Sequence, residues 1–179
     1  MKYRLPEGCG DRREAIELLL NEERELSRLE MNAVREAVKK ILFEAKGYVS
    51  AEIEMDCEFD VRTGSEPAKS KVDFVVCISG RRFVSIKCAV DALVSRQRHA
   101  LACARLLDPC QVPFAVITDG VDAIVLDTVT GEVIGEGLDA VPSRESLLET
   151  IGRAEFIALP EEKAEKEKRI VSAFDATGC

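Results

Sequence analysis

The sequence predicts an α/β fold in which a mixed β-sheet of about five strands is flanked by helices. Helical periodicity dominates both ends of the chain, and short apolar runs rich in Val and Ile occupy its middle. A single helix lies between predicted strands, and short turns or loops join the others. Because a parallel pair needs a crossover helix while a tight turn gives an antiparallel pair, this order favours a mixed sheet over a doubly wound one.

Two helices are predicted before the first strand, over residues 12–26 and 28–46. The second has apolar residues at i, i+4 and i+8 spacing, such as Leu29, Ala33 and Ala37. Gly47 follows this segment and is a natural helix terminator.

Strands and one helix are predicted between residues 48 and 128. The predicted strands cover residues 48–60, 71–78, 82–88, 112–118 and 121–128. Ser79-Gly80 predicts a tight hairpin between the second and third strands, and Asp119-Gly120 predicts one between the last two. The helix is predicted over residues 95–107, where Asp108-Pro109 ends it.

The remainder of the chain is predicted to be helical and to belong to the same domain. Ser143 caps one predicted helix, and Pro160 opens a charged helix over residues 161–169. We find no repeat and no low-complexity linker, so we expect one domain over residues 1–179. Its parts are an N-terminal helical extension of about 1–27, a core of about 28–128 and C-terminal helices of about 143–174.

Composition predicts a cytoplasmic protein. Seven cysteines without a CxxC pair, several of them in apolar runs, indicate reduced thiols used as small core residues. No apolar run approaches the roughly 20 residues that span a bilayer, and the N-terminus lacks the apolar stretch of a signal peptide. The one histidine, His99, has no cysteine at zinc-ligand spacing and is expected at the surface or half-buried.

Charge is distributed unevenly along the chain. The net charge of −8 works against unaided binding to nucleic acid, whose phosphates are met by Lys and Arg. Residues 66–106 nevertheless carry eight basic and three acidic side chains, a local charge of +5. This stretch is either a solvated face or a basic cleft inside an acidic shell, and both interpretations stay open here. Any DNA binding is expected to be weak and salt-sensitive, through Arg81, Arg82, Arg96 and Arg98.

The residues best able to carry chemistry are Asp73, Ser85 and Lys87, on the second and third predicted strands. Alternate residues of a strand share a face, so Ser85 and Lys87 point the same way, and the hairpin can place Asp73 beside them. We therefore predict that all three enter one pocket at an edge of the sheet. The simpler alternative is a cross-strand ion pair between Asp73 and Lys87 on a solvent-facing surface.

This arrangement resembles the PD-(D/E)XK nuclease superfamily, in particular the N-terminal domain of type I restriction enzyme R subunits (HSDR_N). The family pattern is an acidic first helix, a strand bearing Asp, a hairpin, a strand ending in Glu-x-Lys, and a helix bearing Gln. Asp73 matches the Asp, Ser85-Ile86-Lys87 occupies the Glu-x-Lys position, and Gln97 matches the helical Gln. Residues 112–120 (VPFAVITDG) are similar to the family's next strand and turn. The resemblance covers roughly residues 29–127 and implies a restriction-endonuclease-like fold.

The resemblance also implies an activity, the Mg²⁺-dependent hydrolysis of DNA phosphodiester bonds by an endonuclease. In such enzymes acidic side chains hold Mg²⁺, which prefers oxygen ligands. Asp73 would be a metal ligand, Lys87 would orient the attacking water and stabilise charge on the phosphate, and Gln97 would assist.

Two positions decide whether that activity is expected. Family members often place a Glu in the first helix, and Glu30 fits this position best, with Glu36 and Glu44 as rivals; any of them can instead be a solvated helix residue. Ser85 departs from the pattern, because a hydroxyl lacks the charge that draws Mg²⁺ from its water shell. A carboxylate that has migrated, Asp91, is the nearby candidate to replace it.

Two functional hypotheses follow from the residues and the resemblance. The first is a Mg²⁺-dependent DNA endonuclease that works with a separate motor subunit. The second is a nuclease fold retained without catalysis, which binds nucleic acid, a protein partner or a second copy of itself. Function belongs to sites rather than folds, so the geometry around Asp73 decides between them.

Overall fold

The computed structural model describes residues 11–63, 66–152 and 156–176, which form one six-stranded sheet flanked by four α-helices. The strands are β1 (Ile53–Thr63), β2 (Glu66–Ile78), β3 (Arg81–Cys88), β4 (Phe114–Thr118), β5 (Ala123–Asp127) and β6 (Val133–Glu136). The helices are α1 (Arg12–Lys40), α2 (Leu93–Leu106), α3 (Arg144–Thr150) and α4 (Glu161–Ala176). Shorter helical turns occupy Ile41–Ala45, Ser50–Glu52 and Leu138–Ala140.

The strands lie in the sheet in the same order as in the chain. β3 and β4 are parallel because α2 connects them, and the other neighbouring pairs are antiparallel. The prediction of a mixed sheet flanked by helices is confirmed, with six strands instead of about five. The additional strand, β6, has four residues that are largely exposed, so it offers no apolar alternation for sequence analysis to detect.

Residues 12–40 form one continuous helix, so the prediction of two separate helices in this segment is wrong. Neither Gly nor Pro interrupts these residues, which explains why the helix continues. The side chain of Asp11 caps its start by accepting the N–H groups of Arg13 and Glu14 at 2.7 and 2.9 Å. A π-turn follows its end, where the N–H of Lys46 donates to the carbonyl of Ile41 at 2.9 Å.

Different helices cover the two faces of the sheet. Val38 of α1 packs with Phe74 and Ile86 on one face. On the other face, Val75 belongs to a cluster that includes residues of α2 and also Val171 of α4. The β2–β3 pair is therefore covered on both sides, and its middle residues are buried.

Membrane-spanning helices and cysteine oxidation can be assessed for the described ranges. No helix there is long and apolar enough to cross a bilayer. The cysteines that the structure describes are in the thiol form. The single-domain organisation stays a prediction, and residues 1–10 of the predicted N-terminal extension lie outside the described ranges.

The Asp119-Gly120 turn packs directly against α1. Gly120 has a φ of +84°, and a Cβ added there would lie 3.0 Å from the Cβ of Ala37. Gly80, in the β2–β3 turn, has a φ of +74° but would meet no atom within 4 Å. Gly120 is therefore constrained both by its backbone conformation and by its contact with α1.

We expect Gly120→Ala to lower the free energy of unfolding by roughly 2–4 kcal/mol, because left-handed backbone and overpacking both oppose a side chain. Gly80→Ala is the matched control, and it should cost only the backbone contribution of about 1–2 kcal/mol. Urea denaturation of both variants measures the difference. Equal losses would show that the contact with α1 does not constrain the turn.

Candidate functional site

A pocket of about 750 Å³ lies where β1, β2 and β3 meet α1 and the start of α2. The charged side chains that line it are Arg35, Asp56, Lys71, Asp73, Lys87, Asp91 and Arg96. Asp73 and Lys87 are therefore in one pocket, as the sequence predicts. Phe74 pairs with Ile86, which makes Asp73 and Lys87 neighbours across the β2–β3 pair.

Asp73 is 8% exposed, and both of its carboxylate oxygens are engaged. Oδ1 accepts a hydrogen bond from Nη1 of Arg35 at 2.6 Å, and Oδ2 accepts one from the backbone N–H of Cys88 at 2.8 Å. A buried carboxylate needs such partners, because removing its charge from water is costly. Asp73 is thus held by a side chain of α1 and by the end of β3.

Arg35 joins two carboxylates on neighbouring strands. Its Nη1 contacts Asp73, and its Nη2 donates to Oδ2 of Asp56 at 2.8 Å. The guanidinium also lies 5.5 Å from the centre of the Phe74 ring, a cation–π distance. Burial lowers the pKa of Arg35, but the hydrogen bond to Asp56 and the charges of Asp73 and Asp56 together raise it above its ordinary value. Arg35 is therefore a permanent cation at the centre of the pocket.

Asp56 has a φ of +53° in the middle of β1, a conformation that non-glycine residues rarely adopt. Its Oδ1 accepts from Nζ of Lys71 at 2.8 Å, and its hydrogen bonds to Lys71 and then Arg35 lower its pKa. At this position the β1–β2 pair twists, so that alternate residues on either side of it pack on opposite faces of the sheet. Phe74 packs in the cluster beneath α1, whereas Val72 packs in the cluster beneath α2 and α4.

This twist explains how Asp73 reaches Arg35 on the opposite side of the sheet from α2. Sequence analysis did not identify Asp56 or Arg35. Asp56 is one of several acidic residues at alternate positions of β1, and Arg35 is one of several charged residues of α1. The unusual backbone conformation of Asp56 is the structural signal, and the sequence carries no trace of it.

Lys87 and Ser85 differ in their access to the pocket. Nζ of Lys87 donates to the carbonyl of Lys71 at 2.9 Å and lies at the pocket wall. Ser85 is 1% exposed, pairs with Val75 and Ala115 on its two neighbouring strands, and does not line the pocket. Its Oγ has no hydrogen-bond partner among the described residues. The expectation that Ser85 enters the pocket with Asp73 and Lys87 is thus corrected, because its short side chain ends inside the core.

The structure places Glu30 and Gln97 outside the pocket, contrary to the roles that the resemblance implies. The face of α1 toward the pocket carries Met31 and Arg35, which are one helical turn apart, and Glu30 is turned away by about 100° and exposed. On α2 the pocket is lined by residues 96, 99 and 100, so Gln97 lies to one side and is half-buried. The rivals of Glu30 are also exposed. Glu36 lies 3.8 Å from Lys39, and Glu44 lies 3.8 Å from Lys40.

Asp91, the candidate migrated carboxylate, lines the pocket but is bound to Arg96. Nη2 of Arg96 lies 2.7 Å from its Oδ2, and this hydrogen-bonded pair lowers the pKa of Asp91. His99 also lines the pocket and is 3% exposed, so the expectation of a surface or half-buried histidine is wrong. Its ring stacks on Phe174 of α4, with ring centres 4.9 Å apart.

The four arginines expected to bind DNA do not form one surface. Arg81 lies over the ring of Phe156 at 4.9 Å, and Arg82 forms an ion pair with Glu54 at 2.7 Å, both near the start of β3. Arg96 lies in the pocket at the other end of β3. Arg98 contacts Glu167 of α4. Binding through all four at once is therefore not supported by their positions.

The described side chains do not fit Mg²⁺ at this pocket. Mg²⁺ demands near-ideal octahedral oxygen coordination and usually takes one or two carboxylates that are open to it. Asp73 is engaged by Arg35 and by a backbone N–H, and Asp56 by Arg35 and Lys71. In the described part of the chain, no three His, Cys, Asp or Glu residues are grouped so that they can hold a metal ion.

A comparison with protein families places this site in a known context. The family model for the type I restriction enzyme R protein N terminus (HSDR_N) matches residues 30–142, more than half of the 179-residue chain. The chain belongs to this family. The HSDR_N match contains Asp56, Asp73 and Lys87, and it excludes the first part of α1 and all of α4. Comparisons with curated proteins and with solved structures found no match.

Proposed function

We propose that this HSDR_N domain is a restriction-type nuclease-like module that binds nucleic acid without cleaving it. One observation carries the proposal: both oxygens of Asp73 are engaged, by Arg35 and by the N–H of Cys88. A carboxylate in this state is a poor ligand for Mg²⁺, and the adjacent position that would supply a second acid is the buried Ser85. The fold and the lysine of the nuclease pattern remain, but Asp73 is occupied and the second acid is absent.

The pocket nevertheless suits a phosphate backbone. Its lining includes four basic side chains against three acidic ones, in a chain whose net charge is −8. Lys71 and Lys87 lie side by side on its wall, where Nζ of Lys87 reaches the carbonyl of Lys71 at 2.9 Å. An ammonium group can donate to a phosphate oxygen while keeping one such contact, because it has three N–H donors. Contacts of this kind do not distinguish base sequence.

We expect no Mg²⁺- or Mn²⁺-dependent nicking of plasmid DNA beyond that of Asp73→Ala. Duplex binding, followed by fluorescence anisotropy, should persist in EDTA and weaken about 10- to 40-fold between 50 and 200 mM salt, as expected for two or three phosphate contacts. Lys87→Ala should weaken binding and reduce the salt dependence, whereas Lys166→Ala, on the exposed face of α4, should change neither. The two lysine variants thus separate a contact in the pocket from a general loss of charge.

The competing function is a Mg²⁺-dependent endonuclease. It is favoured by the convergence of Asp56, Asp73 and Lys87 on one pocket, but it needs Arg35 to leave both carboxylates. Metal-dependent nicking that Asp73→Ala abolishes would establish it and would rule out a purely binding role. Binding that is insensitive to salt, or equal in the two lysine variants, would remove the pocket as the nucleic-acid site.

A second candidate is a module that binds a protein partner or a second copy of the chain. It is favoured by α1, where Leu19, Leu26 and Leu29 are 54%, 61% and 59% exposed. Large apolar side chains that recur on one side of a helix are typical of helix–helix association. Sedimentation of the chain at increasing concentration distinguishes a self-associating helix from a monomer that awaits another partner.

A further inference from the structure

We propose that Arg35 is a built-in cation, whose guanidinium fills the place between Asp56 and Asp73 that would otherwise be a two-carboxylate site for a divalent metal ion. Nη1 lies 2.6 Å from Oδ1 of Asp73, and Nη2 lies 2.8 Å from Oδ2 of Asp56. One planar group thus holds two carboxylates from neighbouring strands, as a bound metal ion would. The inference goes beyond nucleic-acid binding, because it concerns why this pocket does not bind metal.

The backbone of Asp56 is the first reason to regard this arrangement as more than an ordinary ion pair. Its φ of +53° interrupts β1, and a non-glycine residue adopts such a conformation only at a cost in free energy. Asp tolerates it better than most residues do. In this backbone conformation the carboxylate of Asp56 accepts hydrogen bonds from Arg35 and Lys71.

The electrostatics of the pair are the second reason. Two carboxylates that face the same point repel each other unless a cation lies between them. Arg35 supplies that cation permanently, since it stays protonated at all ordinary pH values. Its side chain is 19% exposed and lies over the Phe74 ring, so its position is fixed by packing as well as by charge. A chelator cannot remove it, and a rise in pH does not discharge it.

The geometry of α1 is the third reason. The residues of this helix that face the pocket are Ser27, Met31, Asn32 and Arg35, none of which is acidic. The helix therefore presents a cation, and no carboxylate, to Asp56 and Asp73. A simple structural ion pair predicts that loss of Arg35 only destabilises the fold. A built-in cation predicts in addition that loss of Arg35 creates affinity for a divalent metal ion.

The test compares the whole chain with its Arg35→Gln variant by Mn²⁺ titration, using electron paramagnetic resonance and calorimetry. The wild-type chain should show no saturable Mn²⁺ binding below about 1 mM. The variant should bind one Mn²⁺ with a dissociation constant of about 10⁻⁴–10⁻³ M, as expected for a weak carboxylate site. Adding Asp56→Asn to the variant should abolish the gain, because Asn keeps the local backbone but removes one charged ligand.

Arg96→Gln is the matched control. It removes another arginine of the same pocket but leaves only Asp91 behind, so it should gain no Mn²⁺ binding. Arg35→Lys should also gain none, because it keeps a cation near the two carboxylates. These controls separate the specific place of Arg35 from the general effect of removing positive charge.

Each outcome decides the proposal. A folded Arg35→Gln variant without Mn²⁺ binding overturns it, and so does Asp73-dependent Mn²⁺ binding by the wild-type chain. If the variant is unfolded, circular dichroism with Mn²⁺ or with NaCl of equal ionic strength replaces the titration. Refolding by Mn²⁺ alone supports the proposal, and failure to refold overturns it. None of these measurements uses DNA, so a failure of the Mn²⁺ titration and a failure of nucleic-acid binding can be told apart, although both proposals use the contact between Arg35 and Asp73.

Discussion

Replacing Glu167 with alanine is expected to lower the free energy of unfolding by about 3–5 kcal/mol. Glu167 is 3% exposed and lies on α4, between two arginines of α2. Its Oε1 accepts from Nη1 of Arg105 at 2.7 Å, and its Oε2 lies 2.6 Å from Nη2 of Arg98. The alanine variant leaves the side chain of Arg105, which is only 11% exposed, without its carboxylate. Loss of one partner from a buried ion pair is costly for this reason.

The chain provides a matched control on the same helix. Glu162 is 88% exposed and lies 3.6 Å from Lys166, so Glu162→Ala should change stability by less than about 0.5 kcal/mol. Glu167→Gln should lie between the two, because it keeps the shape and one hydrogen bond but loses the charge. Urea denaturation of the three variants measures the series. A Glu167→Ala chain as stable as Glu162→Ala would mean that α4 is held by apolar contacts alone.

The central part of the fold could be predicted from the sequence because its signals are local. Ser79-Gly80 predicts the β2–β3 hairpin, but the bulge between Val76 and Cys77, which shifts the register by one residue and makes Asp73 and Lys87 neighbours, is not visible in the sequence. The stop at Asp108-Pro109 and the turn at Asp119-Gly120 likewise place the end of α2 and the β4–β5 pair. The two turns and the stop each depend on a few consecutive residues, which a single sequence can show.

The chemistry of the pocket depends on contacts between distant residues, and these could not be predicted. Arg35 and Asp73 are 38 positions apart in the chain, and no periodicity of α1 distinguishes Arg35 from its other charged residues. Ser85 could be recognised as a departure from the nuclease pattern, but not as a residue that stops short of the pocket. The strain at Asp56 is equally hidden, since the alternation of β1 continues through it.

The burial of a charged residue of α4 is likewise not visible in the sequence. The segment around Glu167 reads EEKAEKEKR, a composition typical of a solvated helix with ion pairs between successive turns. Glu167 is nevertheless buried, because the helix lies against α2 and β1 with Val171 in the core. A family resemblance limited to residues 30–142 carries no information about this helix. The docking of α4 also determines the environment of His99.

Acidification is expected to destabilise the chain through His99, whose pKa is lowered to about 4, first by burial and then by the positive charge of Lys87. Asp175 opposes this effect, with Oδ1 at 3.2 Å from Nε2, and Arg96 adds to it. An unfolded histidine has a pKa of about 6.5, so between pH 6.5 and 4 the unfolded chain binds a proton that the folded chain excludes. Stability is therefore lost as the pH falls through this window, by up to about 3 kcal/mol.

The comparison of wild type with His99→Gln isolates this contribution, because Gln keeps a donor near Asp175 but does not titrate. Acid also removes the stabilisation due to carboxylates whose pKa is lowered by ion pairs, such as Glu52 and Glu54, but it does so in both chains. Urea unfolding at a series of pH values should therefore give curves that diverge below about pH 6.5, with the wild type losing about 3 kcal/mol more by about pH 4. Parallel curves would mean that the folded chain accepts the proton on His99, with Asp175 as its counter-ion, and that α4 stays docked in acid.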